Sequence, residues 1–453
     1  MRSLTRSNAQ PQISGLIYSK AAELLLIGLL LVFIYPFFFV ISGTDPALPT
    51  ASQSETKIVY YLQMALPFSC VAIALMCRGS GVCLPIAIMS YASICLASTI
   101  WSVEPYGTFK QASLMFLYIL AIAAVCQVLD IGTFCKIIVK LLVFLMLASV
   151  VMAVAFPNYG IHQVSDSIHQ DDHVGRWRGV FAHKNQLGAA ASISVFTFLF
   201  LPRLINASVG FRVICIGSAI VCLISAQSAG SWIALCMLLV YYWLIGGVHA
   251  SRSTLLLIVF GVSAFAFTAF SFFGEDLVAL VGRDATFSGR TYIWHIVFDA
   301  VWQKPLLGYG YYAATVDFIR PLLVGAMGQA AVDAHNGYLD VLLGTGIVGL
   351  ALLLFCISSV IVIGIGRVKT SATERDFFML LVSFPILGLL SSFFEVAAMS
   401  GVQDPLGALT FLSLTAVPLY LRLDRSTYQW RTFAEHTGSA ARLFRTGRRG
   451  TAR

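Results

Sequence analysis

Gly337-Tyr-Leu-Asp-Val-Leu-Leu-Gly-Thr-Gly-Ile-Val-Gly-Leu-Ala-Leu-Leu-Leu-Phe-Cys-Ile-Ser-Ser-Val-Ile-Val-Ile-Gly364 decides the fold class. A membrane-spanning helix needs about 20 predominantly apolar residues, and this run exceeds that with Asp340 as its only charge. The same rule applied outward gives eleven more candidate spans: 21–42, 58–77, 81–100, 110–129, 134–156, 187–201, 211–226, 231–247, 254–273, 377–398 and 405–421. Composition agrees, because a chain 58% hydrophobic and 11% charged cannot solvate its surface as a soluble domain. The expected fold is an all-α polytopic membrane protein, one integral domain over residues 1–453 with about twelve transmembrane helices. Residues 21–42 are too long for the core of a signal peptide and read as an uncleaved signal anchor.

An even number of spans puts both termini on one side, and lysine and arginine decide which. With cytoplasmic termini, twenty of the 29 basic residues lie in inner loops and tails, eight of them in the basic tail 422–453. Nine lie outside, and seven of those nine fall in two polar stretches: a first segment, 157–186, with Arg176, Arg178 and Lys184, and a large loop, 274–336, with Arg283, Arg290, Lys304 and Arg320. Holding cations on the translocated side has a topogenic cost, and a function is one reason to bear it. The plainer reason is that long loops translocate regardless of charge.

The net charge of +8 is spread over loop edges and tail, a pattern that favours anionic lipid headgroups over nucleic acid. All ten cysteines lie in or beside apolar runs with no CxxC pair, so they read as buried apolar side chains rather than disulfides or metal ligands. Gly344-Thr-Gly-Ile-Val-Gly349 matches the dinucleotide fingerprint but lacks the preceding strand and the later acidic residue. Small residues for close helix packing account for it better. The Asn206-Ala-Ser208 sequon falls in a loop assigned to the cytoplasm. His162, His169, Asp171, Asp172 and His173 have no established metal spacing, and Asp130 and Glu395 are too isolated to make a proton path. Within the large loop, 289–302 has apolar residues at helical spacing, with Ile293, Ile296, Val297, Ala300 and Val301 on one face. It reads as an amphipathic helix, either on the outer leaflet or packed on protein.

Three motifs remain on the outer side: Gly175-Arg-Trp-Arg-Gly-Val-Phe-Ala-His-Lys-Asn-Gln-Leu-Gly188, Ser288-Gly-Arg-Thr-Tyr-Ile-Trp294 and His335-Asn-Gly-Tyr-Leu-Asp340. In that order they resemble the O-antigen ligase superfamily, whose members include O-antigen ligases, O-antigen polymerases and exopolysaccharide polymerases. The first motif looks most like the exopolysaccharide polymerase branch. The resemblance implies a GT-C-like glycosyltransferase of the bacterial inner membrane with a periplasmic active site. It implies an undecaprenyl-diphosphate-linked oligosaccharide as donor, a glycan acceptor, and neither cofactor nor metal. Chain-length regulators and export proteins are partners expected on the same ground.

The residues fit that chemistry on their own terms. Expelling a diphosphate needs charge stabilised on phosphate oxygens, and Arg178 and Arg290 offer planar two-point donors, with Lys184 adding a point charge. His335 is the candidate base for the acceptor hydroxyl, its ordinary pKa being near neutrality. His183, Asn185, Asn336, Tyr338 and Trp177 are candidate substrate contacts, and Trp177, Tyr309 and Tyr338 candidate stacking platforms for sugars. Each has a plainer rival: His335 as a helix cap, and Arg178 and Arg290 as headgroup anchors. The expected reaction is inverting, metal-independent polymerisation of lipid-linked repeat units. A ligase acting on lipid A core or another acceptor is the alternative within the family. A polyprenyl-glycan transporter is the alternative outside it, disfavoured because no internal repeat is found.

Overall fold

The computed structural model describes residues 10–37, 56–78, 82–163, 173–205, 207–247, 290–312, 319, 321–322, 334, 336–368, 372–393, 399 and 401–423. Among them the secondary structure is helical, with a single isolated bridge between Ile161 and Trp177. In chain order the helices are α1 Gln10–Ile34, α2 Thr56–Arg78, α3 Ile86–Ala97, α4 Pro105–Cys126, α5 Ile131–Ala155, α6 Lys184–Phe200, α7 Val209–Ala226, α8 Ala229–Gly247, α9 Arg290–Gln303, α10 Gly337–Arg367, α11 Ala372–Ser391 and α12 Pro405–Leu423. Seven of them are long and apolar enough to cross a membrane. Eleven of the twelve expected spans coincide with helices. The ninth, 254–273, lies outside the described residues, as do the sequon's Asn206, Glu395 and most of the basic tail. The protein is an all-α, multi-pass membrane protein.

Polar caps fix where the spans begin, because the first N–H groups of a helix have no partner within it. Asp130 Oδ1 accepts from Thr133 N–H at 2.9 Å at the start of α5, and Ser208 Oγ from Phe211 N–H at 3.4 Å at the start of α7. Glu104 caps α4, which has Pro105 as its first residue. Small residues let the spans approach closely, as in other membrane bundles. Ser192 Oγ on α6 donates to Ser231 O on α8 at 2.7 Å, and Gly188 leaves no room for a side chain against Ser231.

Contacts sort the connections into two sets, one at each end of the bundle. At one end Gln127 Oε1 accepts from Cys83 N–H at 3.0 Å, Tyr420 Oη donates to Leu129 O at 3.2 Å, and Arg203 pairs with Asp376 at 3.4 Å. At the other end Phe37 N–H donates to Val180 O at 2.7 Å and Trp177 N–H to Ser225 O at 3.0 Å. There Trp101 Nε1 also donates to Leu307 O at 3.0 Å, and Gly337 N–H to Ser392 O at 2.8 Å. The described residues of the two polar stretches lie at this second end, called the site end below.

α9 is an amphipathic helix held by protein. Ile293, Val297, Ala300 and Val301 are buried against α10, and burial of each of the three larger aliphatics contributes roughly 1.5–3 kcal/mol. Phe298 and Trp302 stay exposed on its other side.

Candidate functional site

The first segment is organised around Arg178, whose side chain is 1% exposed. Its Nε donates to Tyr159 O at 2.7 Å and its Nη2 to Asn158 O at 3.1 Å. Those carbonyls belong to the single helical turn Pro157–Gly160 that follows α5, and the backbone N–H groups of Arg178 and Gly179 both return to Gly160 O at 2.9 Å. The guanidinium thus crosslinks the two strands of the segment. Nε and Nη2 of this candidate two-point donor therefore face backbone oxygen and are shielded from solvent.

His183 caps α6, its Nδ1 accepting from Asn185 N–H at 3.3 Å. Lys184 begins the helix with its side chain buried, and its Nζ donates to Asn185 Oδ1 at 3.3 Å. Three imidazoles gather here: the rings of His162, His173 and His183 stand 5.2–5.8 Å apart, edge to face. His162 Nε2 accepts from Lys184 N–H at 3.2 Å, so that nitrogen carries no proton. Burial, then the charges of Arg178, His173, Lys184 and Arg176, hold the His162 pKa down to about 3. The sequence had grouped His162 and His173 with His169, Asp171 and Asp172, which lie outside the described residues. In the structure His183 completes the cluster instead. Among the described residues, no three His, Cys, Asp or Glu side chains are arranged to hold a metal ion.

The second and third motifs meet through α9. Arg290 is its first residue, and one turn later Trp294 Nε1 donates to Ala334 O at 3.0 Å. Ala334 is fully buried and directly precedes His335. His335 itself, Ser288, Arg283 and Arg320 lie outside the described residues, and Arg290 is placed by its backbone. Asn336, not His335, caps α10: its Oδ1 accepts from Tyr338 N–H at 3.0 Å and Leu339 N–H at 3.1 Å. The cap commits Asn336 Oδ1 to the backbone and leaves the residue 4% exposed.

Two of the three candidate stacking platforms bond their hydroxyls to backbone carbonyls. Tyr309 is 3% exposed, its hydroxyl donates to Ala300 O at 2.9 Å, and Lys304 Nζ covers its ring at 4.7 Å. Tyr338 lies 4.7 Å from Phe393 and donates its hydroxyl to Leu389 O at 2.8 Å. Trp177 is half-buried on the main core.

The glycine run in α10 has a role that the sequence only partly indicated. Gly346, with φ +66 and ψ −168, breaks the helix in a conformation that essentially only glycine adopts. The break receives residues 305–310. Tyr309 N–H donates to Leu343 O at 2.7 Å and Gly310 N–H to Gly344 O at 2.9 Å, while Ile347 N–H returns to Pro305 O at 2.9 Å. An interrupted helix is tolerated in a membrane protein where other backbone satisfies the freed groups, as happens here.

Asp404 was missed in the sequence, although Asp-Pro opening an apolar run is a helix-start signal. It caps α12 and accepts from Gln186 Nε2 at 2.8 Å, tying the first segment to the α11–α12 connection. Burial raises its carboxyl above the ordinary range, against the pull of Gln186 and two backbone N–H donors.

Residues 213–354 match the O-antigen ligase family. The match includes Arg290, His335, Asn336 and Tyr338 and leaves Arg178 and Lys184 outside it. The chain is also 29% identical over 194 residues to the exopolysaccharide production protein ExoQ of Rhizobium meliloti (strain 1021). That alignment covers 39% of this chain and 43% of ExoQ, so the chain spans under half the length of this curated relative. Residues 213–354 are therefore similar to the O-antigen ligase family, and the protein is a multi-pass membrane protein similar over part of its length to an exopolysaccharide production protein.

Proposed function

We propose that the protein is a glycosyltransferase that joins lipid-linked oligosaccharide repeat units into an exopolysaccharide. The observation that carries this reading is the bond from Trp294 of the Arg290 helix to Ala334, the residue before His335, inside the region that matches the O-antigen ligase family. The acceptor hydroxyl attacks the anomeric carbon of the donor sugar. A carbon–oxygen bond forms there as the bond to the polyprenyl diphosphate breaks. The electron pair leaves on the diphosphate, and the hydroxyl proton passes to His335. One displacement inverts the anomeric carbon. Arg290 carries the developing phosphate charge, and Lys184 adds a point charge that helps to hold the donor's diphosphate. Arg178 adds positive potential from beneath the first segment and fixes its shape. With the termini cytoplasmic, as the count of basic residues favours, the site end faces the periplasm.

Purified protein supplied with undecaprenyl-diphosphate-linked repeat units tests this. Longer lipid-linked chains and released polyprenyl diphosphate are expected, and His335→Ala is expected to abolish both while still accumulating in the membrane. Transfer only to an added lipid A core would identify a ligase instead. Lipid flipping with no new glycosidic bond would sink both enzyme readings. Unchanged polymer from His335→Ala would remove that histidine from the mechanism.

A further inference from the structure

The connection between α11 and α12 touches the start of α10, the 305–312 loop and the first segment. Ser392 O accepts Gly337 N–H at 2.8 Å, beside the third motif. Gly401 lies so close to the Tyr311 hydroxyl that a Cβ would collide with it, which seats the connection on the 305–312 loop. Asp404 then closes onto the first segment. Its Oδ1 accepts from Leu406 N–H at 2.9 Å and Gly407 N–H at 3.3 Å, an ordinary helix cap. Its Oδ2 reaches across to Gln186 Nε2 at 2.8 Å. Gln186 stands in the first turn of α6, two residues after Lys184 and three after the capping His183. The cap needs only one carboxylate oxygen. The second oxygen joins the helix start that carries Lys184 to the connection that abuts the 305–312 loop and the start of α10.

We propose that Asp404 and Gln186 are positioning residues: their hydrogen bond sets the register of the Lys184–Asn185 turn against the Arg290 and His335 segments. It thereby governs how tightly the donor's diphosphate is held. This inference rests on the proposed glycosyl transfer. Neither side chain touches the substrate. A loosened tie leaves the bond-making groups in place but makes each binding event reorder a cationic turn, so the loss falls on donor affinity.

The test uses the full chain in detergent or nanodiscs with the lipid-linked repeat unit as donor. Gln186→Met keeps the length and loses the donor group. Its donor KM is expected to rise about tenfold with kcat within about twofold, and its thermal midpoint to stay near that of the wild type. Asp404→Ser keeps a cap but is too short to reach Gln186, and is expected to reproduce that shift. The two changes together are expected to be no worse than either alone. Asp404→Asn is expected to restore donor KM, because the Gln186 amide can turn its oxygen toward the asparagine Nδ2. An unchanged donor KM in Gln186→Met overturns the inference alone. So does a loss that tracks folded protein, or additivity in the double variant. A wild-type protein inert toward the donor overturns the proposed function and this inference with it.

Discussion

Replacing Arg178 separates an internal scaffold from a substrate ligand. With 1% of its side chain exposed and two carbonyl oxygens at 2.7 and 3.1 Å, Arg178 acts on the fold before it acts on any ligand. A hydrogen bond from a charged donor contributes about 1.5–3 kcal/mol, and a buried carbonyl left without a partner costs about 1–3 kcal/mol. Lysine can serve one of the two oxygens, so Arg178→Lys should cost roughly 2–4 kcal/mol. Methionine serves neither and strands both, for roughly 3–5 kcal/mol, partly offset because no charge is then held in a low-dielectric interior. Either loss is a large share of the roughly 5–15 kcal/mol that separates a typical fold from its unfolded state. Expected readouts are a lowered thermal midpoint of the detergent-solubilised protein and faster proteolysis between residues 157 and 183 in both variants, with Met worse than Lys. If Arg178→Lys instead keeps its midpoint and protease pattern while donor KM climbs, the guanidinium is a ligand and the scaffold account is wrong.

Two further perturbations follow from the geometry. At Gly346, alanine would adopt a backbone conformation closed to side chains, and its Cβ would collide with Leu306 O. Gly346→Ala should therefore unseat residues 305–310 from α10 and abolish polymer formation, read as new protease cleavage near Leu306 with the spans still inserted; an active, uncleaved variant would mean that the break in α10 has no consequence. His162 gives the pH dependence. Unfolded it titrates near 6.5, folded near 3, so as pH falls below 6.5 the unfolded chain takes up a proton that the native state refuses. Stability is unaffected above about pH 7 and is lost progressively between pH 6.5 and 3, by about 1–2 kcal/mol at pH 5. His162→Gln keeps an acceptor for Lys184 N–H and does not titrate, so its midpoint should fall less between pH 7 and 5. Identical slopes in wild type and variant would show that His162 is not held neutral.

The spans were legible because bilayer thickness imposes a length that no soluble element needs, and 337–364 exceeds it unaided. The face of α9 was legible from its apolar spacing, but its partner was not. Periodicity reports which residues are buried, and leaves open whether lipid or α10 covers Ile293 and Val297. The plainer reading of His335 as a helix cap fell one residue short, since Asn336 and His335 are both polar at the same boundary and only backbone geometry assigns the cap of α10 to Asn336. The two contacts that assemble the site end, Gln186 with Asp404 and the 305–310 loop with α10, join residues far apart in the chain. No local pattern encodes such pairings.

Counting cations outside the cytoplasm treats each as equal testimony for a site, and the structure divides them by what they touch. Arg178 has carbonyl partners that justify its presence whether or not a diphosphate ever arrives, so it contributes little to the functional case. Lys304 covers Tyr309 and belongs to the seating of the loop on α10. Of the cations given a substrate role, what remains is Arg290 at the head of α9, whose Trp294 bonds Ala334 beside His335 within the family match, and Lys184 at the head of α6 outside that match. Helix N-termini carry partial positive charge and unpaired N–H groups, so each cation reinforces a field that its own backbone already supplies to an anion. Bond making on this account belongs to the second and third segments. The first segment acts as an adjustable wall, and the α11–α12 connection determines where that wall stands.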